Sequence, residues 1–401
     1  MPQRKERTEA WRVVRDLPYH AEEEPHTKLQ LDLYVPHQED GAAATSEKRP
    51  VVIYAHGGGW KRGDRKRTLL GRPNINENVG KSLASNGVVC AVISYRLSKT
   101  GLFSALFFGG SLAAITTVVL CLVFFMVSLL TALVSSAFTG TPSLEALVAM
   151  EGALLYAAGC FAVLVVLYFM LTWVMEAGHQ RHGIKHPVHV LDLAHALKWV
   201  HDNVESYGGD SNNIFLSGHS AGGHLVTLLS LKPDYLEKAG HSKDLLRCVK
   251  GVISLSGVFH LGRLKKNIIT RHWYLTPAFG KDPAVYREAS PITWAKQRTR
   301  FPFLLLNAAS DFHLHRDSTE LAAVLREAGS KVTVCSVPKT NHRSIVSLIH
   351  SPKDQVTPLL LAFIFQREDQ LEKMVQSSSS SPKEDEKKDK ESQTKKRKKE
   401  Q

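Results

Sequence analysis

From residue 101 to residue 144 the chain carries no charged side chain, and from 152 to 175 it carries none again. Each stretch exceeds the ~20 apolar residues that cross a bilayer as a helix, and apolar runs this long are rare in soluble cores. Two membrane helices, near residues 112–133 and 153–175, are therefore expected, joined as a hairpin. Cysteine is also scarce, five in 401 residues. Cys121 and Cys160 lie in the apolar runs, while Cys90, Cys248 and Cys335 fall in or beside strand-like segments, so all five read as reduced core residues. The chain has no Asn-x-Ser/Thr sequon, and residues 1–15 are basic and polar without the apolar core that a secretory signal peptide requires. His179, His182, His186, His189 and His195 cluster after the second apolar run, but with no nearby cysteine and no ligand spacing they do not read as a metal site.

Charge is plentiful elsewhere. The formal net charge of +13 is spread over the amino end, residues 61–67, residues 263–266 and the tail, with no nucleic-acid motif near any of them. This pattern suits an anionic membrane surface better than nucleic acid. The turn between the apolar runs carries Glu145 and Glu151 but no lysine or arginine, whereas Arg96 and Lys99 precede the hairpin and Arg181 and Lys185 follow it. By the positive-inside rule the turn is lumenal or external. Residues 371–401 pass through a serine run into a Lys/Glu/Asp-rich tail whose low apolar content predicts disorder.

Two short glycine motifs flank the apolar insertion. Residues 51–55 are an apolar, β-rich run leading into His56-Gly57-Gly58-Gly59-Trp60. Glycines in such a run leave the backbone N–H groups unobstructed, free to point at a developing oxyanion. Residues 213–217 are a second short strand leading into Gly218-His219-Ser220-Ala221-Gly222, followed by helical apolar spacing at Leu225, Leu228 and Leu229. Strand, sharp turn and helix are the context in which G-x-S-x-G exposes a serine oxygen. Together the motifs point to acyl transfer.

The partners of Ser220 should follow in the order acid, then histidine. Residues 302–307 are an apolar strand candidate, and Asp311 lies in the polar loop beyond it, before a helix over 317–328. Asp311 is the acid of choice; Asp317 competes, but a carboxylate opening a helix is more often a cap. Residues 331–338 alternate like a strand and release the chain into a loop containing His342, the expected base; His350, on an apparent helix downstream, is a weaker candidate. His342 would take the Ser220 proton, Asp311 would orient the imidazole, and the amides of Gly58, Gly59 and Ala221 would hold the oxyanion. Losing one such donor typically costs on the order of 3 kcal/mol of barrier. His313 and His315 flank the acid loop and read as surface residues rather than as pocket lining, the alternative, and residues 258–279, with Phe259, Trp273 and Tyr274, read as part of a cap or of the core.

His56–Trp60, Tyr95-Arg96-Leu97, the helix ending in Tyr207-Gly208-Gly209-Asp210 and the Ser220 motif together resemble the α/β-hydrolase fold. Within it the chain is most similar to the carboxylesterase branch with an HGGGW signature, which includes hormone-sensitive-lipase-like esterases, arylacetamide deacetylases, kynurenine formamidases and plant prenylcysteine methylesterases. The resemblance spans roughly residues 11–366 apart from the insertion, and implies a cofactor-free serine hydrolase with a mainly parallel sheet flanked by helices. One departure is Ser94, where this branch often has an aspartate before Tyr-Arg, a difference that bears on local packing.

The expected organisation is an α/β-hydrolase domain in two parts, residues 1–100 and 178–370, interrupted by a transmembrane hairpin at 101–177 and followed by the tail at 371–401. Because both halves must fold together, the catalytic domain and both termini are placed in the cytosol. The tail's basic clusters suit a nuclear signal, contact with anionic lipid or plain solvation, and the terminal Lys398-Lys399-Glu400-Gln401 resembles a dilysine retrieval pattern, which favours the endoplasmic reticulum membrane. Loops after parallel strands open at the ligand-binding edge, so the hairpin should root at the active-site rim and favour lipophilic esters. The competing readings are an inactive hydrolase-fold membrane scaffold, and a formamidase or prenylcysteine methylesterase using the same triad.

Overall fold

The computed structural model describes residues 10–20, 27–37, 48–66, 75–98, 183–267 and 270–380. Its strands and principal helices are β1 (Trp11–Pro18), β2 (Gln30–Pro36), β3 (Arg49–Ala55), α1 (Ile75–Ala84), β4 (Val89–Ile93), α2 (Val188–Asn203), β5 (Gly209–His219), α3 (Ala221–Leu231), β6 (Val249–Leu255), β7 (Phe303–Ser310), α4 (Leu314–Glu327), β8 (Val332–Asn341), α5 (Val356–Ile364) and α6 (Glu368–Ser380). The eight strands form one sheet in the order β1-β2-β4-β3-β5-β6-β7-β8. β1 and β2 pair antiparallel, β2 joins β4 antiparallel, and every pairing from β4 to β8 is parallel.

The central strands are apolar along their whole length because both faces of the sheet are covered. All five residues of β4 are buried, as are the last five of β3. Successive side chains alternate between faces. Val51, Ile53 and Ala55 join the core that α2 and α3 cover with Leu193, Leu197, Leu225 and Leu228. Val52 and Tyr54 join the opposite core, closed by Val79 and Leu83 of α1 and Leu359, Leu360 and Phe363 of α5. This is the mainly parallel, helix-flanked sheet that the sequence led us to expect.

Register converts this layering into a site. β3 and β5 are neighbours with Ala55 opposite Gly218, so the loop beginning at His56 and the turn at Ser220 leave the sheet side by side. β7 and β8 are neighbours with Ser310 opposite Asn341, which brings the loops holding Asp311 and His342 together at the same carboxyl edge. Ligands of open α/β sheets bind at that edge.

The chain divides into two compact units, Met1–Ser98 with Ile184–Gln401, and Lys99–Gly183. Among the described residues no helix is long and apolar enough to cross a membrane. The hairpin expected near 112–133 and 153–175 lies outside the described residues, as does most of the charged tail.

Candidate active site

Ser220 stands between β5 and α3 with φ 52° and ψ −114°, a conformation costly for a residue with a Cβ. The turn is tight enough that a side chain at Gly222 would begin 2.0 Å from the Ala55 carbonyl oxygen. Glycine is therefore needed two residues after the serine for β3 to pass, which is the physical content of the motif's second glycine. The Ser220 N–H donates to the Leu255 carbonyl at 2.9 Å and its carbonyl accepts from His224 N–H at 3.0 Å, fixing the turn from both sides.

His342 Nε2 lies 3.0 Å from Ser220 Oγ, and its Nδ1 lies 2.5 Å from Asp311 Oδ1. The Asp311 side chain is fully buried and that of His342 is 23% exposed. The structure thus brings together three side chains that stand far apart in the chain, in the geometry of nucleophile, base and orienting acid. Asp311 Oδ2 is buried without a hydrogen-bond partner among the described residues. Asp317 is elsewhere: its Oδ2 accepts from the N–H groups of Phe259 and His260 at 3.3 and 3.2 Å, and Oδ1 meets Arg263 at 2.5 Å. It holds the loop after β6 rather than His342. His350 lies in an exposed turn, its N–H donating to Asp354, not on a helix.

The glycine loop is braced by its flanking residues. The buried His56 ring stacks on Tyr95 with centroids 4.4 Å apart, and the Tyr95 hydroxyl donates to the His56 carbonyl at 2.9 Å. Burial pushes the His56 imidazole down to about 4, so it is neutral near pH 7. Trp60 Nε1 donates to His224 Nδ1 of α3 at 3.2 Å, and its ring meets Phe279 edge-on at 4.9 Å. Among the described residues nothing accepts a hydrogen bond from the N–H groups of Gly58, Gly59 or Ala221. Those amides lie on the loop and turn that the β3–β5 register sets side by side.

Ser94 fills the position of the absent aspartate. Its Oγ accepts from Arg65 N–H at 3.1 Å and donates to Asp64 at 3.3 Å, while Arg65 Nε donates to the fully buried Asp32 at 2.9 Å. Carboxylates from β2 and from the loop itself thus supply the charge.

Over the glycine loop lies the segment after β6. The Tyr274 ring occupies the space where a Cβ on Gly59 would be, and Arg62 donates to the Tyr274 hydroxyl at 3.1 Å. Lys61 donates to the Trp273 carbonyl and lies 5.4 and 5.7 Å from the Trp273 and Tyr274 rings. Burial, with the neighbouring Arg62 charge, lowers its ammonium to about 8. Phe259, by contrast, is core. On the other rim, Phe312 is 80% exposed, with its ring 5.4 Å from that of His342. Phe312 and His313 both have positive φ, 42° and 63°, and His313 and His315 are exposed.

Of the clustered histidines, His186 pairs with the Tyr235 hydroxyl, His189 with Ser98 and His195 with His241, so they face separate partners; His179 and His182 lie outside the described residues. Cys90, Cys248 and Cys335 are buried free thiols. Sequence reasoning missed Asp192, which binds the Arg96 guanidinium and main chain, and gave no role to His219 or Phe312. The tyrosine–arginine pair after β4 was a usable signal for the first; an aromatic residue directly after the acid was one for the last.

The BD-FAE family model matches residues 31–108 and 179–325, taking in the glycine loop, Ser220 and Asp311. The chain belongs to the BD-FAE family. The model's match to this BD-FAE member stops before His342. Esterase LipQ of Mycobacterium tuberculosis is 27% identical over 165 residues, covering 39% of this chain and 38% of LipQ. The isoprenylcysteine alpha-carbonyl methylesterase ICME of Arabidopsis thaliana is 24% identical over 167 residues, 39% of each chain. The chain therefore spans under two fifths of the length of these curated relatives. Among solved structures, esterase B from Lactobacillus Rhamnosis (HN001) superposes with a TM-score of 0.56 at 18% identity, covering 93% of this chain and 90% of that one. That likeness is one of fold.

Proposed function

We propose that this BD-FAE family member is a serine hydrolase of carboxylic esters that works through an acyl-enzyme, with Ser220 as nucleophile, His342 as general base and acid, and Asp311 as the residue that orients the imidazole. The observation carrying the reading is the continuous contact from Asp311 Oδ1 through His342 to Ser220 Oγ, at 2.5 and 3.0 Å, beside a glycine loop. In the first half-reaction His342 Nε2 takes the Ser220 proton as Oγ attacks the ester carbonyl. The tetrahedral oxyanion is held by the Gly58, Gly59 and Ala221 amides, and collapse expels the alcohol, which receives the proton from His342. Water repeats the sequence on the acyl-enzyme and releases the acid. None of these steps requires a cofactor or a metal.

The substrates we assign are lipophilic. Phe312 offers exposed apolar surface beside His342, where the leaving group must pass. Ser98 and His186, near which the insertion departs and returns, are themselves held near the glycine loop: Ser98 N–H donates to the Trp60 carbonyl at 2.9 Å, and the His186 ring packs on Phe279, which meets Trp60. Residues 112–133 and 153–175 are proposed to anchor the chain in a bilayer with the hydrolase on the cytosolic side; the charge-free runs and their flanking basic residues support this. The names of the relatives, esterase and methylesterase, agree with ester cleavage.

Hydrolysis of p-nitrophenyl esters from acetate to decanoate by the full chain in detergent tests the substrate reading. A kcat/KM that rises with chain length supports it. Turnover confined to acetate removes the lipophilic assignment, and no turnover by folded protein favours the inactive scaffold.

A further inference from the structure

His219, the variable residue before Ser220 in the G-x-S-x-G turn, belongs to neither the triad nor the His56–Trp60 glycine loop, yet it touches both. It is the last residue of β5 and only 6% exposed. Its Nε2 lies 2.7 Å from the main-chain carbonyl oxygen of His342, and the two imidazole centroids are 4.8 Å apart. A carbonyl can only accept, so Nε2 carries the hydrogen and the neutral ring leaves Nδ1 bare. On its other side the ring fills the space beside Gly57, where a Cβ would begin 2.5 Å from His219 Nδ1. One buried ring therefore spans from the glycine loop to the segment bearing His342.

That segment needs an external brace. His342 follows the end of β8, where Asn341 still stands opposite Ser310 of β7, in a turn whose own hydrogen bonds are local: Asn341 accepts from the N–H groups of Arg343 and Ser344, and Asn341 N–H donates to Ser344. Such bonds shape the turn but do not fix its distance from Ser220. Among the described residues, the bond from His219 is the one that joins the His342 main chain to the strand carrying the nucleophile. A histidine also suits the electrostatics. Burial, reinforced by the neighbouring His342, lowers the His219 imidazole to about 3, so it stays neutral while His342 takes up a proton.

We propose that His219 is a positioning residue: its Nε2–H tethers the His342 main chain and so holds the imidazole within reach of Ser220, while its ring sets the spacing to the glycine loop. This rests on the reading of Ser220 and His342 as the reacting pair. A displacement of the base by about 1 Å costs on the order of 100-fold in rate, whereas substrate affinity has no reason to follow.

The test compares His219→Met, which fills the site without a donor, with His219→Gln, whose amide nitrogen reaches the same carbonyl. Both are measured as full chains in detergent, reading kcat and KM on p-nitrophenyl butyrate and the rate of fluorophosphonate labelling. The Met variant is expected to lose roughly 10- to 100-fold in kcat and labelling rate with KM within about two-fold, and Gln to recover most of the loss. Should Met fail to fold, His219→Asn gives the same contrast with Gln, since its amide falls one methylene short of the carbonyl. Wild-type kcat in the donor-less variant, or equal impairment of Gln and the donor-less variant, overturns the tether. Wild-type protein unlabelled at Ser220 overturns the underlying reading instead.

Discussion

Single residues act in the proposed site through atoms within hydrogen-bond reach and through one exposed ring. Replacing Asp311 by Asn keeps the shape of the contact to His342 Nδ1 but favours the wrong tautomer. The expected result is a fall in kcat of about 10⁴ with little change in KM, read from steady-state hydrolysis of a p-nitrophenyl ester. Asp317→Asn should leave kcat within a few-fold, because that carboxylate holds Phe259, His260 and Arg263. Phe312→Ala should raise KM for long-chain esters by roughly ten-fold while sparing acetate, as expected for losing part of an aromatic side chain's burial against substrate. Much of this was legible beforehand: glycine motifs announce themselves through backbone demands, and Asp311 and His342 each follow a recognisable strand. His219 and Asp192 were not legible, since their partners lie 123 and 96 residues away and no local pattern encodes them.

Secondary-structure elements act here chiefly through register. Gly222→Ala would place a methyl 2.0 Å from the Ala55 carbonyl, forcing β3 and α3 apart; we expect loss of activity together with a destabilisation of several kcal/mol, on the order of the largest single-site effects, in a denaturant titration. The Arg96–Asp192 pair clamps the segment after β4 to α2, with the carboxylate fully buried and guanidinium contacts as short as 2.6 Å. Asp192→Ala breaks this buried pair, at an expected cost of about 3 kcal/mol or more in a denaturant titration. Strand cores were readable as apolar runs, but their ends were not. β5 begins at Gly209, four residues before the expected start, because Gly209 pairs with Arg49 of β3 ahead of a register shift that ends at Ile214, a stretch with no hydrophobic signal. α2 begins at Val188, directly after Pro187. The antiparallel β1 and β2 went unread: β1 is only half-buried and carries a register shift between Val14 and Leu17, which breaks its alternation.

For the whole molecule, several buried histidines set the response to acid. His56 and His186 are lowered to about 4, and His189, His219 and His224 to about 3, all chiefly by burial. Their folded pKa values lie below the unfolded value near 6.5, so below that pH the unfolded chain binds more protons and stability falls as pH drops. Each such histidine contributes a slope of about 1.4 kcal/mol per pH unit between its two pKa values. Urea midpoints of the full chain in detergent should therefore decrease steeply from pH 6.5 to pH 5, and a flat profile would contradict the neutral, buried assignment. The central claim, that Ser220 is an activated nucleophile, is tested most directly by treating the full-length protein with a fluorophosphonate and locating the adduct by peptide mass spectrometry. A single adduct on Ser220 is expected, absent from Ser220→Ala and strongly slowed in His342→Ala. Folded wild-type protein that remains unmodified, or that is modified equally in the Ser220→Ala variant, would contradict it.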